Sequence, residues 1–262
     1  MIKLIAVDMD GTFLNSTSEY NQERFHKIHS KLDEKGIHFV VASGNQYFQL
    51  KDYFTEYNNI DYIAENGALI CNPKKVYVVH SFSEDTVKSI ENFLIKQKEI
   101  NFLVCGKNAA YALNKMPKEY FKFSSHYYHR LEKVQSLDAI HDKILKFSIQ
   151  CPNDKTNYYI KLFEDNLGKY SNITSRGHGD IDIIQIGINK VNGLRELGKI
   201  LNIKLGEMCA FGDGGNDLEM IQEVSDGIAM KNASPLLLKV ANHIMDTNDE
   251  EGVLNYIENN IL

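Results

Sequence analysis

Apolar positions along the chain follow two rhythms. In the first 82 residues, short continuous apolar runs alternate with segments of helical spacing. Residues 2–8 form one such run, with KLIAV in its middle and Asp8 at its end, as expected of a strand buried on both faces of a parallel sheet. Residues 19–35 place Phe25, Ile28 and Leu32 on one helical face, and Gly36 ends the pattern. A strand over 38–43, a helix over 45–56 and a strand over 61–67 follow, then a hairpin with CNPKK at its tip. The rhythm returns near residue 190, with helices expected over 190–201, 215–223, 234–241 and 250–260 and strands over 208–212, 227–230 and 243–245. Strands alternating with helices imply a parallel sheet covered on both faces.

Between 83 and 182 the pattern changes. Longer alternating runs (NFLVCG, AAYALN, HYYHRLEKV, KILKFSIQ, NITSR and DIDIIQI) are mixed with helical stretches. The expected fold is therefore α/β: a Rossmann-like parallel-sheet core from 1–82 and 183–262, interrupted by an inserted α+β unit, 83–182, with an antiparallel sheet.

Composition narrows the function. At 262 residues with 43% apolar and 24% charged side chains, the chain can bury a large core without cross-links. A net charge of −6 speaks against nucleic acid as partner, yet permits a small anion held by local cations. Cys71, Cys105, Cys151 and Cys209 are scattered, without Cys-x-x-Cys spacing, and read as reduced, buried thiols of a cytoplasmic protein. No signal peptide and no membrane span are expected.

The candidate chemistry sits at strand ends. Asp8-Met9-Asp10-Gly11-Thr12 follows the first strand, and Gly212-Asp213-Gly214-Gly215-Asn216-Asp217 follows the strand at 208–212. In open α/β sheets, ligands bind outside the carboxyl ends of the strands. Acids there also serve as turn formers and helix caps. If the sheet brings both loops together, four carboxylates converge and require a cation, for which an all-oxygen donor set favours Mg²⁺. Ser43-Gly44-Asn45 after the second strand is either an anion site of hydroxyl and backbone N–H groups or a plain cap. Lys190 opens a helix and, taken alone, reads as a surface lysine.

Together these motifs resemble the haloacid dehalogenase superfamily, in its Cof-type, sugar-phosphatase-like branch. The D-x-D-G-T box matches Asp8 to Thr12, the Ser/Thr box Ser43, the lysine box Lys190 and the G-D-x-x-N-D box Gly212 to Asp217. Smaller Cof-like echoes are Glu65-Asn66-Gly67-Ala68, the stretch from Ala229 to Ala233, and the stretch from Asn248 to Val253. The insert lies where the family carries a C2-type cap. One departure is Asn45, where relatives often place arginine.

The resemblance implies a Mg²⁺-dependent phosphatase for a small phosphorylated metabolite, acting through an aspartyl phosphate on Asp8. It implies that Asp10 serves as acid and base, that the metal lies on Asp8, the Asp10 backbone, Asp213 and Asp217, and that Met9, Ser43, Gly44, Lys190 and Asn216 hold the phosphoryl oxygens. Replacing Lys190 is then expected to cost activity with little loss of stability. A hexose phosphomutase is the alternative within enzymes, and a phospho-accepting signalling module the alternative outside them. Asn45 and Arg176, the latter beside His178 and Asp180 in a glycine-containing loop, are expected to contribute to selectivity. His126 and His129 read as part of a surface strand, Phe121, Phe123, Tyr127 and Tyr128 as core of the insert, and 86–99 as a solvated helix face.

Overall fold

A computed structural model describes residues 1–177 and 179–262, with the backbone alone for Arg176 and Gly177. The chain divides into two compact units. The first comprises Met1–Ser43, Glu56–Tyr77 and Asn189–Leu262, and the second comprises Gly44–Thr55 and Val78–Ile188.

The first half runs β1 (Leu4–Val7), α1 (Gln22–Glu34), β2 (His38–Ala42), α2 (Tyr47–Asp52), β3 (Asp61–Ala64), β4 (Leu69–Cys71) and β5 (Val76–Val79). Helix α1 starts where the Asn21 side chain accepts from the Arg24 N–H, and it buries Phe25, Ile28, His29 and Leu32. The inserted segment holds α3 (Glu84–Leu94), β6 (Asn101–Gly106), β7 (Ala110–Leu113), α4 (Lys118–Ser124), β8 (Leu131–Val134), β9 (Ile144–Gln150), α5 (Thr156–Leu167), β10 (Ser171–Gly177) and β11 (Asp180–Gln185). The chain then adds α6 (Lys190–Leu201), β12 (Met208–Gly212), α7 (Leu218–Glu223), β13 (Asp226–Met230), α8 (Pro235–Val240), β14 (His243–Met245) and α9 (Gly252–Tyr256).

Among the described residues one sheet runs β14-β13-β12-β1-β2-β3-β4-β5. From β14 to β3 it is parallel, and β4 turns back antiparallel to β3. Register decides what gathers at its edge. Val7 stands level with Phe211 on one side and Val41 on the other. The chain therefore leaves β1 at Asp8, β12 at Gly212 and Asp213, and β2 at Ser43 along one border. The central strands β1, β3 and β12 are buried throughout, as a parallel sheet covered by helices requires, whereas the outer strands β5 and β14 keep exposed residues.

The second sheet runs β10-β11-β9-β6-β7-β8 and is antiparallel except between β7 and β8. Phe102, Val104, Phe147, Ile149 and Ile183 meet Ile90 and Leu94 of α3 and Phe163 of α5 in its core. All four cysteines are free and buried.

Three expectations for the insert need correction. HYYHRLEKV is not one strand, since only Leu131–Val134 pair and the residues before them follow a helix. Pro117 stands at the N-cap position of that helix, and the Tyr128 N–H reaches back to the Ser124 carbonyl beyond its end. His126 Nδ1 lies 2.9 Å from the Lys122 carbonyl, a helix-end contact rather than a strand position. Of the aromatics read as core, Tyr128 is buried and Phe121 packs on the apolar cluster, but Phe123 and Tyr127 are exposed. The stretch 86–99 is also not a purely solvated face, because α3 buries Ile90, Glu91 and Leu94.

Candidate active site

The loop after β1 is tied at both ends. The Asp8 N–H donates to the Phe211 carbonyl at 3.1 Å, and the Met9 carbonyl accepts from the N–H groups of Phe13 (3.0 Å) and Leu14 (2.9 Å). Gly11 has φ +75°, and a Cβ there would lie 2.5 Å from Asp213 Oδ2, so glycine is needed for the backbone to pass this close. Thr12 Oγ1 donates to Asp213 Oδ1 at 2.8 Å. The loops after β1 and β12 thus interlock through Gly11, Thr12 and Asp213.

Lys190 is the first residue of α6, placed by Asn189, whose side chain accepts from the Asn192 N–H. It is only 1% exposed, so the surface reading fails. Its Nζ donates to Asp8 Oδ1 and to Asp217 Oδ1, both at 2.6 Å. The other oxygen of Asp217 accepts from the N–H groups of Asp213 (3.1 Å) and Gly214 (2.9 Å). Asp217 therefore holds both Lys190 and the loop, and Gly212 must be glycine because a Cβ would meet Asp217 Cβ at 2.5 Å.

Asp8, Asp213 and Asp217 each offer an oxygen within 4.8 Å of the others. Three carboxylates against one ammonium leave an excess of two negative charges. A hard divalent cation with oxygen preference fits that donor set and that charge. Asp10 is half-buried outside this trio, its backbone bridging to Leu14.

A haloacid dehalogenase-like hydrolase family model matches residues 5–257. The chain belongs to the haloacid dehalogenase-like hydrolases. A relative in Escherichia coli, 5-amino-6-(5-phospho-D-ribitylamino)uracil phosphatase YbjI, is 39% identical over 98% of this chain and 95% of its own. The Bacillus subtilis phosphatase YcsE, named for the same substrate, is 26% identical over 100% of this chain and 96% of its own. A Streptococcus mutans protein of known crystal structure, 33% identical, superposes with a TM-score of 0.92 over 99% of this chain and 98% of that one. Within the family the chain is of the Cof type, and it is an enzyme, a phosphatase.

The remaining motif residues of this haloacid dehalogenase-like enzyme fall into two groups. In the first unit, Ser43 is fully buried at the end of β2, with its carbonyl accepting from the Asn66 N–H at 3.0 Å. Asn66 Oδ1 in turn accepts from Asn216 Nδ2 at 3.4 Å. Glu65, Asn66 and Gly67 all have positive φ, and a Cβ on Gly67 would strike the Asn189 carbonyl at 2.5 Å. This turn thus touches Ser43, Asn216 and the start of α6. Asn232 donates to the Gly11 carbonyl at 2.8 Å and Asn248 to the Leu14 carbonyl at 2.9 Å, so the other two Cof-like echoes brace the loop after β1.

In the second unit, Gly44 and Asn45 begin a segment bound by side chains of the insert. Lys146, 2% exposed, donates to the Gly44 carbonyl at 2.7 Å and to Asp182 Oδ2 at 3.0 Å. Gln46 exchanges a pair of 2.9 Å hydrogen bonds with the Arg130 backbone. The Arg130 guanidinium stacks 3.6 Å from the Phe48 ring centroid, and His129 Nδ1 lies 2.5 Å from Asp52 Oδ2. Sequence reasoning missed the Lys146–Asp182 pair, because single charges in alternating strands normally face water. The Arg176 side chain and His178 lie outside the described residues.

Proposed function

We propose that this phosphatase moves the phosphoryl group of a small phosphomonoester to Asp8 and then to water. The observation that carries the reading is the buried Lys190 ammonium bonded to both Asp8 and Asp217, beside Asp213. That contact fixes the Asp8 carboxylate in one orientation, as an in-line nucleophile requires. Asp10 would protonate the leaving alkoxide and then take a proton from the attacking water. Ser43, Asn216, Lys190 and the backbone N–H groups of Met9 and Gly44 would hold the phosphoryl oxygens. Asp8, the Asp10 carbonyl and Asp213 would carry Mg²⁺, with Asp217 keeping the loop and the lysine in place. When bound, the ion supplies positive charge against nucleophile and phosphate.

The unit containing Val78–Ile188 would act as the C2-type cap of a cytoplasmic enzyme and supply contacts to the rest of the substrate. Two relatives are named for a substrate whose phosphate ends a ribityl chain. A phosphorylated polyol or sugar fits the same reading, since Asn45 offers an amide that both donates to and accepts from hydroxyls. The relatives' activity as phosphatases favours hydrolysis over a mutase reaction.

The test is rapid acid quench with a ³²P-labelled substrate, chosen by screening ribityl, sugar and aryl monophosphates. Label should appear on the protein and vanish in Asp8→Asn, whose turnover should fall at least ~10³-fold. Unlabelled protein during steady turnover, or a fully active Asp8→Asn, refutes the mechanism.

A further inference from the structure

The inserted unit has a cavity of about 610 Å³ between the C-terminal half of α3 and the ends of β7 and β8. That is within the range of small-molecule sites. Ile95, Leu113 and Leu137 supply apolar wall, and Glu91 and Asp138 supply carboxylates. Glu91 is 9% exposed and lines this space. Its carboxylate makes no hydrogen bond and no ion pair among the described residues. Burial first, and the Asp138 charge second, push its pKa up to about 7, with Lys88 acting in the opposite direction.

An ionised carboxylate in such a place is costly unless a cation completes it. The neighbouring chain does not provide one in contact, although Lys88 and Lys115 also line the cavity. A bare metal ion fits poorly, because two carboxylates beside leucine and isoleucine walls do not replace a hydration shell. We infer that the cavity binds a small organic ammonium, with the charged head on Glu91 and Asp138 and the apolar body against Ile95, Leu113 and Leu137. The two lysines restrict it to a ligand of a single positive charge. All these residues belong to the second unit, so the site is separate from the carboxylate–lysine cluster of the first.

The experiment is calorimetric titration of the full chain at pH 8 with n-hexylammonium. Its neutral isostere n-hexanol, NaCl and MgCl₂ serve as comparisons. Hexylammonium should bind with a dissociation constant of about 1 mM or tighter, at least tenfold more tightly than hexanol. The affinity should fall at least tenfold in Glu91→Gln and again as pH drops below about 7, the value at which Glu91 takes up a proton. Phosphatase activity without the amine should be unchanged in the variant. Asp138→Asn, which leaves Glu91 in place, should also weaken binding and keeps the test decisive if Glu91→Gln does not fold. Equal binding of hexanol, undiminished binding in either folded variant, or no binding of hexylammonium overturns the inference.

Discussion

Lys190→Met tests the centre of the site. The expected small loss of stability would hold for a lysine that solvent could replace. Instead the ammonium is 1% exposed and bridges two carboxylates, with side chains at 5% exposure for Asp8 and 0% for Asp217. Methionine keeps the length but removes the charge. Two buried carboxylates are then left about 4.8 Å apart or closer. At an effective dielectric constant of about 20, unit charges at that separation repel by roughly 3 kcal/mol. Removing one partner of a buried ion pair typically costs about 3–5 kcal/mol. Urea unfolding in EDTA at pH 7.5 should therefore show a loss of about 3 kcal/mol, while turnover falls by the equivalent of about 2–4 kcal/mol. Adding Asp217→Asn should recover part of the stability, because one of the stranded charges is gone, but not the activity. A single variant within about 0.5 kcal/mol of the parent, or a double variant no more stable than the single one, refutes the electrostatic account.

Further outcomes follow from the same geometry. Chelation should abolish activity and Mg²⁺ should restore it, with Ca²⁺ a poor substitute because its shell is larger and looser; full activity in excess EDTA contradicts the metal assignment. Gly11→Ala forces a Cβ against Asp213 at a residue with φ +75°; it should cost about 1–2 kcal/mol in stability and raise the Mg²⁺ concentration needed for half-maximal rate, read by metal titration. Glu91 is displaced from its ordinary 4.5 to about 7, so the folded state holds a proton that the unfolded chain releases, and stability falls as pH rises from 4.5 to 7. That displacement corresponds to roughly 3 kcal/mol. Glu91→Gln should therefore be more stable than the parent at pH 8 and close to it near pH 5, and equal denaturation midpoints at both pH values would contradict this.

The core was legible because its signals are local. The apolar runs of β1 and β12 give way at Asp8 and Gly212, and such an end shows without any tertiary information. Helix α6 begins at Lys190 as its sequence suggests, because Asn189 is a strong cap. What lies across the sheet was not legible. Nothing in KILKFSIQ marks Lys146 as buried, since its partner Asp182 is 36 residues away and the Gly44 carbonyl is 102 away. Aromatic residues at 127 and 128 resemble a strand, yet a proline-started helix and its closing turns take that stretch. The Glu65–Gly67 turn carries two non-glycine residues at positive φ; asparagine tolerates that conformation, but glutamate does not favour it, and its surroundings hold it there.

The grouping of Gly44–Thr55 with the inserted unit bears on how such enzymes can be recombined. A graft cut at 83 and 182 looks natural from sequence, because the composition changes there. It would separate Lys146 from the Gly44 carbonyl and Arg130 from both Gln46 and the Phe48 ring. The buried Lys146 ammonium and the Arg130 backbone would arrive in the new host facing a foreign segment. Moving the inserted unit of this chain into a relative therefore needs two pieces of chain, the long insert and the dozen residues that follow Ser43, exchanged as one module.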